Sequence, residues 1–212
     1  MQNKFKAIGF DWSGVMFFHT VHFRRDASHY LNIPESELST AYFKYNHLSN
    51  LHNMSSLEFW TTVFTELGRA SEARGFVEFL NRAPVGKLNQ EMIKVVQLLG
   101  QKGYKTGLFS NNTSLGAEEA RVAGVNDIFE VALFSAELAV MKPDPKAFQM
   151  LADKLGVDVT EMIFVDDSPK CFERASEIGF YPILYKNNIS EFLNHLKDLD
   201  ILTQDDIYTL KS

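Results

Sequence analysis

Apolar and polar positions fall into two periods along the chain. Lys6-Ala7-Ile8-Gly9-Phe10-Asp11-Trp12-Ser13-Gly14-Val15 opens as a short apolar run and closes on a carboxylate and a small, Gly-containing turn. Such a run predicts a buried strand that ends where a ligand can sit. From Val15 to Phe18 the pattern turns helical and aromatic and continues through Val21, Phe23, Tyr30 and Leu31. Pro34-Glu35-Ser36-Glu37 carries the proline and early negative charge of a helix start. Ser55 and Glu58 have capping-box spacing ahead of Phe59, Trp60, Val63, Phe64 and Leu67, and a further helix is predicted around Ser71 to Asn81. Residues from about 20 to 84 show no strand pattern, which leaves an all-helical block of about 65 residues.

Beyond that block the two periods alternate. Helices are predicted from Asn89 to Gly100, through Glu118 to Gly124, over Pro145 to Leu155 and over Pro169 to Ile178. Between them lie strand patterns at Lys105 to Phe109, Val131 to Phe134, Met162 to Val165 and Pro182 to Tyr185. The tail from Ile189 to Ser212 reads as an amphipathic helix through Phe192, Leu193, Leu196 and Leu199, with a short second one. Strands alternating with helices imply right-handed crossovers and a parallel sheet covered on both faces, with ligands at the carboxyl ends of the strands. The expected fold is therefore α/β: a Rossmann-like parallel-sheet core of residues 1–16 and 86–212, with an inserted all-helical cap at 17–85.

Composition narrows the function. With 212 residues, 45% hydrophobic and 23% charged, the chain is an ordinary globular protein with room for an enzyme. Its net charge of −6, without clustered Lys and Arg, argues against nucleic acid as a partner. Cys171 is the single cysteine, so no intramolecular disulfide and no cysteine-based zinc site can form, and it is expected to be a buried small hydrophobe. Met1-Gln2-Asn3-Lys4 leads into a strand without a secretory apolar region, and no apolar run is long enough to span a membrane. The expectation is a cytoplasmic protein with no membrane partner; oligomeric state is not legible.

Four polar clusters fall where the strands should converge: Asp11, Ser110-Asn111, Lys142 in Met141-Lys142-Pro143-Asp144-Pro145, and Asp166-Asp167 in Phe164-Val165-Asp166-Asp167-Ser168-Pro169. Each alone has a bland reading as a cap or a turn. Together, and in this order, they resemble the haloacid dehalogenase-like hydrolase superfamily over essentially the whole chain. The helical insertion after the first motif is that family's most common cap arrangement. The branch it resembles includes sugar-phosphate phosphatases and the N-terminal phosphatase domain of epoxide hydrolases.

The residue types suit the chemistry the resemblance implies. A carboxylate can attack phosphorus to give an aspartyl-phosphate on Asp11, splitting one displacement into two. Repulsion between two anions then has to be neutralised, by Mg²⁺ held on carboxylates and by the compact charge of Lys142. The expected set is Asp11, Ser13 and Lys142 for catalysis, Ser110, Asn111 and Lys142 for the substrate, and Asp11, Ser13, Asp166 and Asp167 for the metal. The substrate is expected to be a small phosphorylated metabolite.

Ser13 departs from the phosphatase pattern, which has a second Asp there to protonate the leaving oxygen. A serine hydroxyl is too weak an acid for that role, so substrates with good leaving groups, such as sugar 1-phosphates, are favoured. Three alternatives stay open: a catalytically weak or silent phospho-ligand-binding domain, a dehalogenase, and a phosphonoacetaldehyde hydrolase-like enzyme. The last resembles Asp11-Trp12-Ser13-Gly14 and would use Lys44, near His47, to form an imine. His19 and His22 follow the first strand closely enough to face the substrate, and Trp12 could wall the pocket.

Overall fold

The computed structural model describes residues 4–20, 22–52, 54–82 and 86–211. Met1 to Asn3, Val21, the expected cap boundary at Val85 and Ser212 lie outside the described residues.

The first strand, β1, spans Ala7–Phe10, and all four residues are buried. β2 is Phe17–His19, followed by helices α1 (Phe23–Leu31), α2 (Glu35–Leu51), α3 (Ser56–Glu66) and α4 (Ala73–Arg82), and then by β3 (Gly86–Leu88). Next come α5 (Gln90–Gln101), β4 (Lys105–Ser110), α6 (Ser114–Val122), α7 (Val125–Ile128), β5 (Val131–Phe134), α8 (Ser135–Leu138) and α9 (Pro145–Leu155). The chain continues through β6 (Met162–Asp166), α10 (Ala175–Ile178), β7 (Tyr181–Leu184), α11 (Ile189–Asp198) and α12 (Gln204–Lys211).

Five of the described strands form a parallel sheet in the order β5-β4-β1-β6-β7. The order reverses at β1, so the crevice for a ligand lies beyond the carboxyl ends of β1, β4 and β6. β1 reads as an unbroken apolar run because both its faces are covered. Ala7 joins the hydrophobic cluster built on Phe109, Phe148, Leu151 and Phe164. Ile8 and Phe10 point the other way, toward Val95, Leu99, Phe192 and Leu196. Between them Gly9 leaves room for α9: a Cβ there would lie 2.6 Å from the Phe164 ring and 2.8 Å from Leu151.

Helices α1 to α4 form the cap and enclose a third cluster of Leu31, Leu38, Trp60, Val63, Phe64 and Phe76. Trp60 meets Phe76 edge to face at 4.7 Å. The predicted capping box opens α3, with the Ser55 N–H donating to Glu58 at 2.9 Å and the Glu58 N–H to Ser55 Oγ at 3.2 Å.

The helical reading of Val15 to Phe18 is corrected. These residues form a tight turn and then β2, which pairs antiparallel with β3 in the register Phe17↔Leu88, Phe18↔Lys87, His19↔Gly86. The Trp12 carbonyl accepts from Met16 and Phe17 N–H, and the Gly14 N–H donates to Phe17 O. The partner strand is far along the chain, so no local period could reveal it. Asn89 ties this hinge to the core, donating through Nδ2 to the Val15 carbonyl at 2.9 Å and capping α5 through Oδ1. The helix expected over Pro169 to Ile178 is likewise broken into a 3₁₀ turn, Pro169–Phe172, and the short α10. The stretch predicted to run to Gly124 stops at Val122, where Gly124 takes φ +90° and α7 restarts.

Candidate active site

Asp11 is the first residue past β1, and its N–H still donates to Val165 O at 2.9 Å. The ladder therefore fixes its backbone while its side chain projects beyond the sheet edge. Asp166 ends β6 beside it, and Ser168 N–H donates to Asp166 Oδ1 at 2.8 Å. Lys142 reaches across from the loop before α9: Nζ is 2.9 Å from Asp11 Oδ1 and 2.6 Å from Asp166 Oδ2. Its ammonium also lies 4.9 Å from the Phe164 ring centre. Lys142 is 2% exposed, so a flexible side chain has been turned into a fixed charge.

Asn111 does the fixing. Its Nδ2 donates to the Lys142 carbonyl and its Oδ1 accepts from the Lys142 N–H, both at 2.8 Å. The side chain expected to bind substrate is thus engaged with the backbone that carries the lysine. The Lys142–Pro143 bond is cis. Asp144 then caps α9 through Lys146 N–H at 2.9 Å, with Pro145 in the first turn. Ser110 is buried at the end of β4, in the row of strand ends that holds Asp11 and Asp166.

Asp167 completes the acidic group: Asp11, Asp166 and Asp167 each offer an oxygen, all within 4.8 Å of one another. Gly14 makes this possible, with φ +78° and no side chain; a Cβ there would lie 2.3 Å from Asp167 Oδ2. The Ser13 hydroxyl lies 3.1 Å from His19 Nε2. That hydrogen bond crosses the turn between β1 and β2 and could not be read from residue types alone.

One ammonium facing three carboxylates leaves the site short of positive charge. Burial raises the Asp11 pKa to about 7, with Asp166 adding to the rise and Lys142 opposing it. Burial and the Asp166 charge raise Asp167 as well. Burial works against charge on Lys142, yet Asp11 and Asp166 together raise its pKa. Converging hard oxygens with excess negative charge form the donor set that suits a magnesium-sized cation.

Among the other candidates, Trp12 is buried and stacks on Phe17 at 5.6 Å. Cys171 is buried as expected, and burial pushes its thiol up. Burial lowers the His19 pKa. Lys44 donates to Glu66 at 2.8 Å, and this bond raises its pKa, the opposite of what an imine-forming amine needs. A cavity of about 880 Å³ opens beside Gly14 and Asp167 and is lined by His19 and His22 together with Arg24, Arg25 and Lys87. Those three cations escaped the sequence reading, because only the β2–β3 pairing brings Lys87 to α1.

A parallel sheet with carboxylates and a buried lysine at its strand ends, under a helical cap, defines a capped α/β protein with an acidic strand-end site. The chain belongs to the haloacid dehalogenase-like hydrolase family, whose sequence model matches residues 5–170. It is 30% identical over 124 residues to Phosphatase MT3486 of Mycobacterium tuberculosis, a match covering 58% of this chain and 57% of that protein. It is 24% identical over 106 residues to bifunctional epoxide hydrolase 2 of Sus scrofa, covering 48% of this chain and 19% of that protein. The chain thus spans little more than half of the first relative and about a fifth of the second. A family enzyme of Bacteroides thetaiotaomicron, bt-2542, has the same fold, with a TM-score of 0.67 at 20% identity, over 86% of this chain and 94% of that one.

Proposed function

We propose that this hydrolase is a Mg²⁺-dependent phosphomonoesterase acting on a small phosphorylated metabolite through an aspartyl-phosphate on Asp11. The observation that carries this reading is Lys142 bridging Asp11 and Asp166, with Asp167 in the same group. Relatives named as phosphatases support it, and a structure of bt-2542 was obtained with magnesium and inorganic phosphate. Residues 17–85 serve as the cap domain and the remainder as the hydrolase core.

Asp11, Asp166 and Asp167 would hold the metal, which would supply positive charge against the nucleophile and the phosphoryl oxygens. One oxygen of Asp11 attacks phosphorus as the bond to the leaving oxygen breaks. Lys142 holds Asp11 in place and neutralises part of the charge that gathers on the phosphoryl group. Ser110 and the backbone amides of the strand-end loops hold the phosphoryl oxygens. Water then attacks phosphorus, releasing inorganic phosphate and restoring the Asp11 carboxylate.

Ser13, bonded to His19, offers no carboxyl proton to the departing oxygen. Substrates that need little help, such as sugar 1-phosphates and aryl or acyl phosphates, are favoured accordingly.

The test is phosphate release with and without Mg²⁺ across alkyl, sugar 1-, aryl and acyl phosphates, with Asp11→Asn as the control. Release that is confined to the better leaving groups and lost in Asp11→Asn is expected. Folded protein that releases no phosphate from any of them would overturn the reading and favour a binding domain or carbon–halogen cleavage.

A further inference from the structure

Exposed cations gather on the cap side of the active site in a chain that is acidic overall, with 27 Asp and Glu against 21 Lys and Arg. The cavity beside Gly14 and Asp167 carries Arg24 and Arg25 from the start of α1 and Lys87 from β3. Apart from Asp167, Glu35 is the one acid lining it. Lys87 pairs directly with Phe18 across the antiparallel strands, so the two side chains leave the same face.

These cations are poorly neutralised by the protein. Arg24 lies over the Phe43 ring at 4.9 Å and reaches Ser39 Oγ at 3.4 Å. Among the described residues neither Arg24 nor Lys87 has a carboxylate partner. Arg25 approaches Asp26 Oδ1 only to 3.5 Å, while Asp26 Oδ2 accepts from the His22 N–H. Like charges lining a partly enclosed cleft repel one another and raise the local potential for an incoming anion. The proposed reaction places the phosphoryl group at Ser110, Lys142 and a metal on the carboxylates, which leaves this second set of cations for the part of the substrate beyond it.

We propose that the portion of the substrate leaving from phosphorus carries a second oxyanion, a carboxylate or another phosphate, bound by Lys87 and Arg24 between β3 and α1. This inference rests on the phosphatase reading and names its substrate class. Guanidinium and ammonium donors both suit such oxyanions. Phe18, Phe23 and Tyr42 line the same cavity and pack along the carbon skeleton between the two anionic ends.

The test sets para-carboxyphenyl phosphate and para-phosphonophenyl phosphate against neutral para-carbamoylphenyl phosphate. Wild type is compared with Lys87→Ala, Lys87→Arg and Arg24→Ala. The expected preference in kcat/KM for an anionic over the neutral substrate is roughly tenfold, the scale of one charge-assisted hydrogen bond. It should reside in KM, fall toward one in Lys87→Ala, return in Lys87→Arg and shrink with added salt. The better of the two anionic substrates identifies the oxyanion.

A ratio near one in wild type, or one untouched by both alanine substitutions, overturns the proposal. Calorimetric titration with phosphonoacetate, phosphonopropionate and methylphosphonate, in the presence of Mg²⁺, separates the two readings. Tighter binding of the carboxylate-bearing probes that is lost in Lys87→Ala supports the cation subsite even if no phosphomonoester is hydrolysed. Equal binding of all three overturns it even if phosphate release is robust.

Discussion

The strand-end site and the cap solve the problem of burial in opposite ways. At the site the buried groups are charged, and each is satisfied by a named partner: Lys142 by Asp11 and Asp166, and its backbone by Asn111. In the cap the interior is aromatic and aliphatic, built on Trp60, Phe64 and Phe76, while its ion pair between Lys44 and Glu66 stays at the surface. The difference separates a fixed arrangement of charges from a cap with its own apolar core. A buried charge network tolerates one arrangement, whereas an apolar core gains its stability from the area it buries and depends less on exact geometry.

Removing the shared cation should produce the largest effect. Lys142→Met leaves the Asp11 and Asp166 carboxylates buried without their counter-charge, which is expected to cost about 3–5 kcal/mol of stability and to abolish turnover. Denaturant unfolding with and without Mg²⁺ checks this, and the metal should restore part of the loss. Stability equal to wild type would mean that the network does not hold the site together.

A cut in the cap should be similar in energy and different in kind. Trp60→Ala opens a cavity where the ring met Phe76, at about 3–5 kcal/mol. Hydrogen exchange should rise across α1 to α4 and leave β1, β4 and β6 protected. Uniform loss of protection would merge the two regions into one cooperative unit.

Ser13→Asp probes the seam between them. Restoring a carboxyl group should raise kcat on an alkyl phosphate by about 10²-fold, the low end of general acid–base assistance. Little change is expected for acyl phosphates, and a uniform rise across all substrates would deny Ser13 the role given to it.

The smallest effect concerns His19. Burial holds its pKa below the ordinary value of about 6.5, so the unfolded chain binds a proton that the folded chain refuses. That contribution to stability is present above about pH 6.5 and is lost as the pH falls from there through the folded value. His19→Gln should flatten this part of the stability profile, read by thermal unfolding between neutral and mildly acidic pH.

Some of this was legible in the chain because local chemistry was enough. The Ser55–Glu58 capping box follows from spacing alone, as does the apolar run into Asp11. The acidic pair Asp166-Asp167 and the Lys142-Pro143-Asp144-Pro145 turn announce their strand and helix ends. Other features depend on residues that meet only after folding. β2 carries a helix-like local pattern because the strand it pairs with, at Leu88, lies beyond the whole insertion. Nothing local reveals that both amide atoms of Asn111 meet the Lys142 backbone.

The alternation of core strands and helices beyond the insertion, the four polar strand ends and the helical insertion were set by the sequence itself, because period, capping and turn chemistry act over a few residues. Tertiary structure alone decided which charges share one buried pocket and why position 14 can carry no side chain beside Asp167. It also placed Arg24, Arg25 and Lys87 around one cleft. Those outcomes depend on distances between segments far apart in the chain, which are fixed only when the sheet and cap close around them.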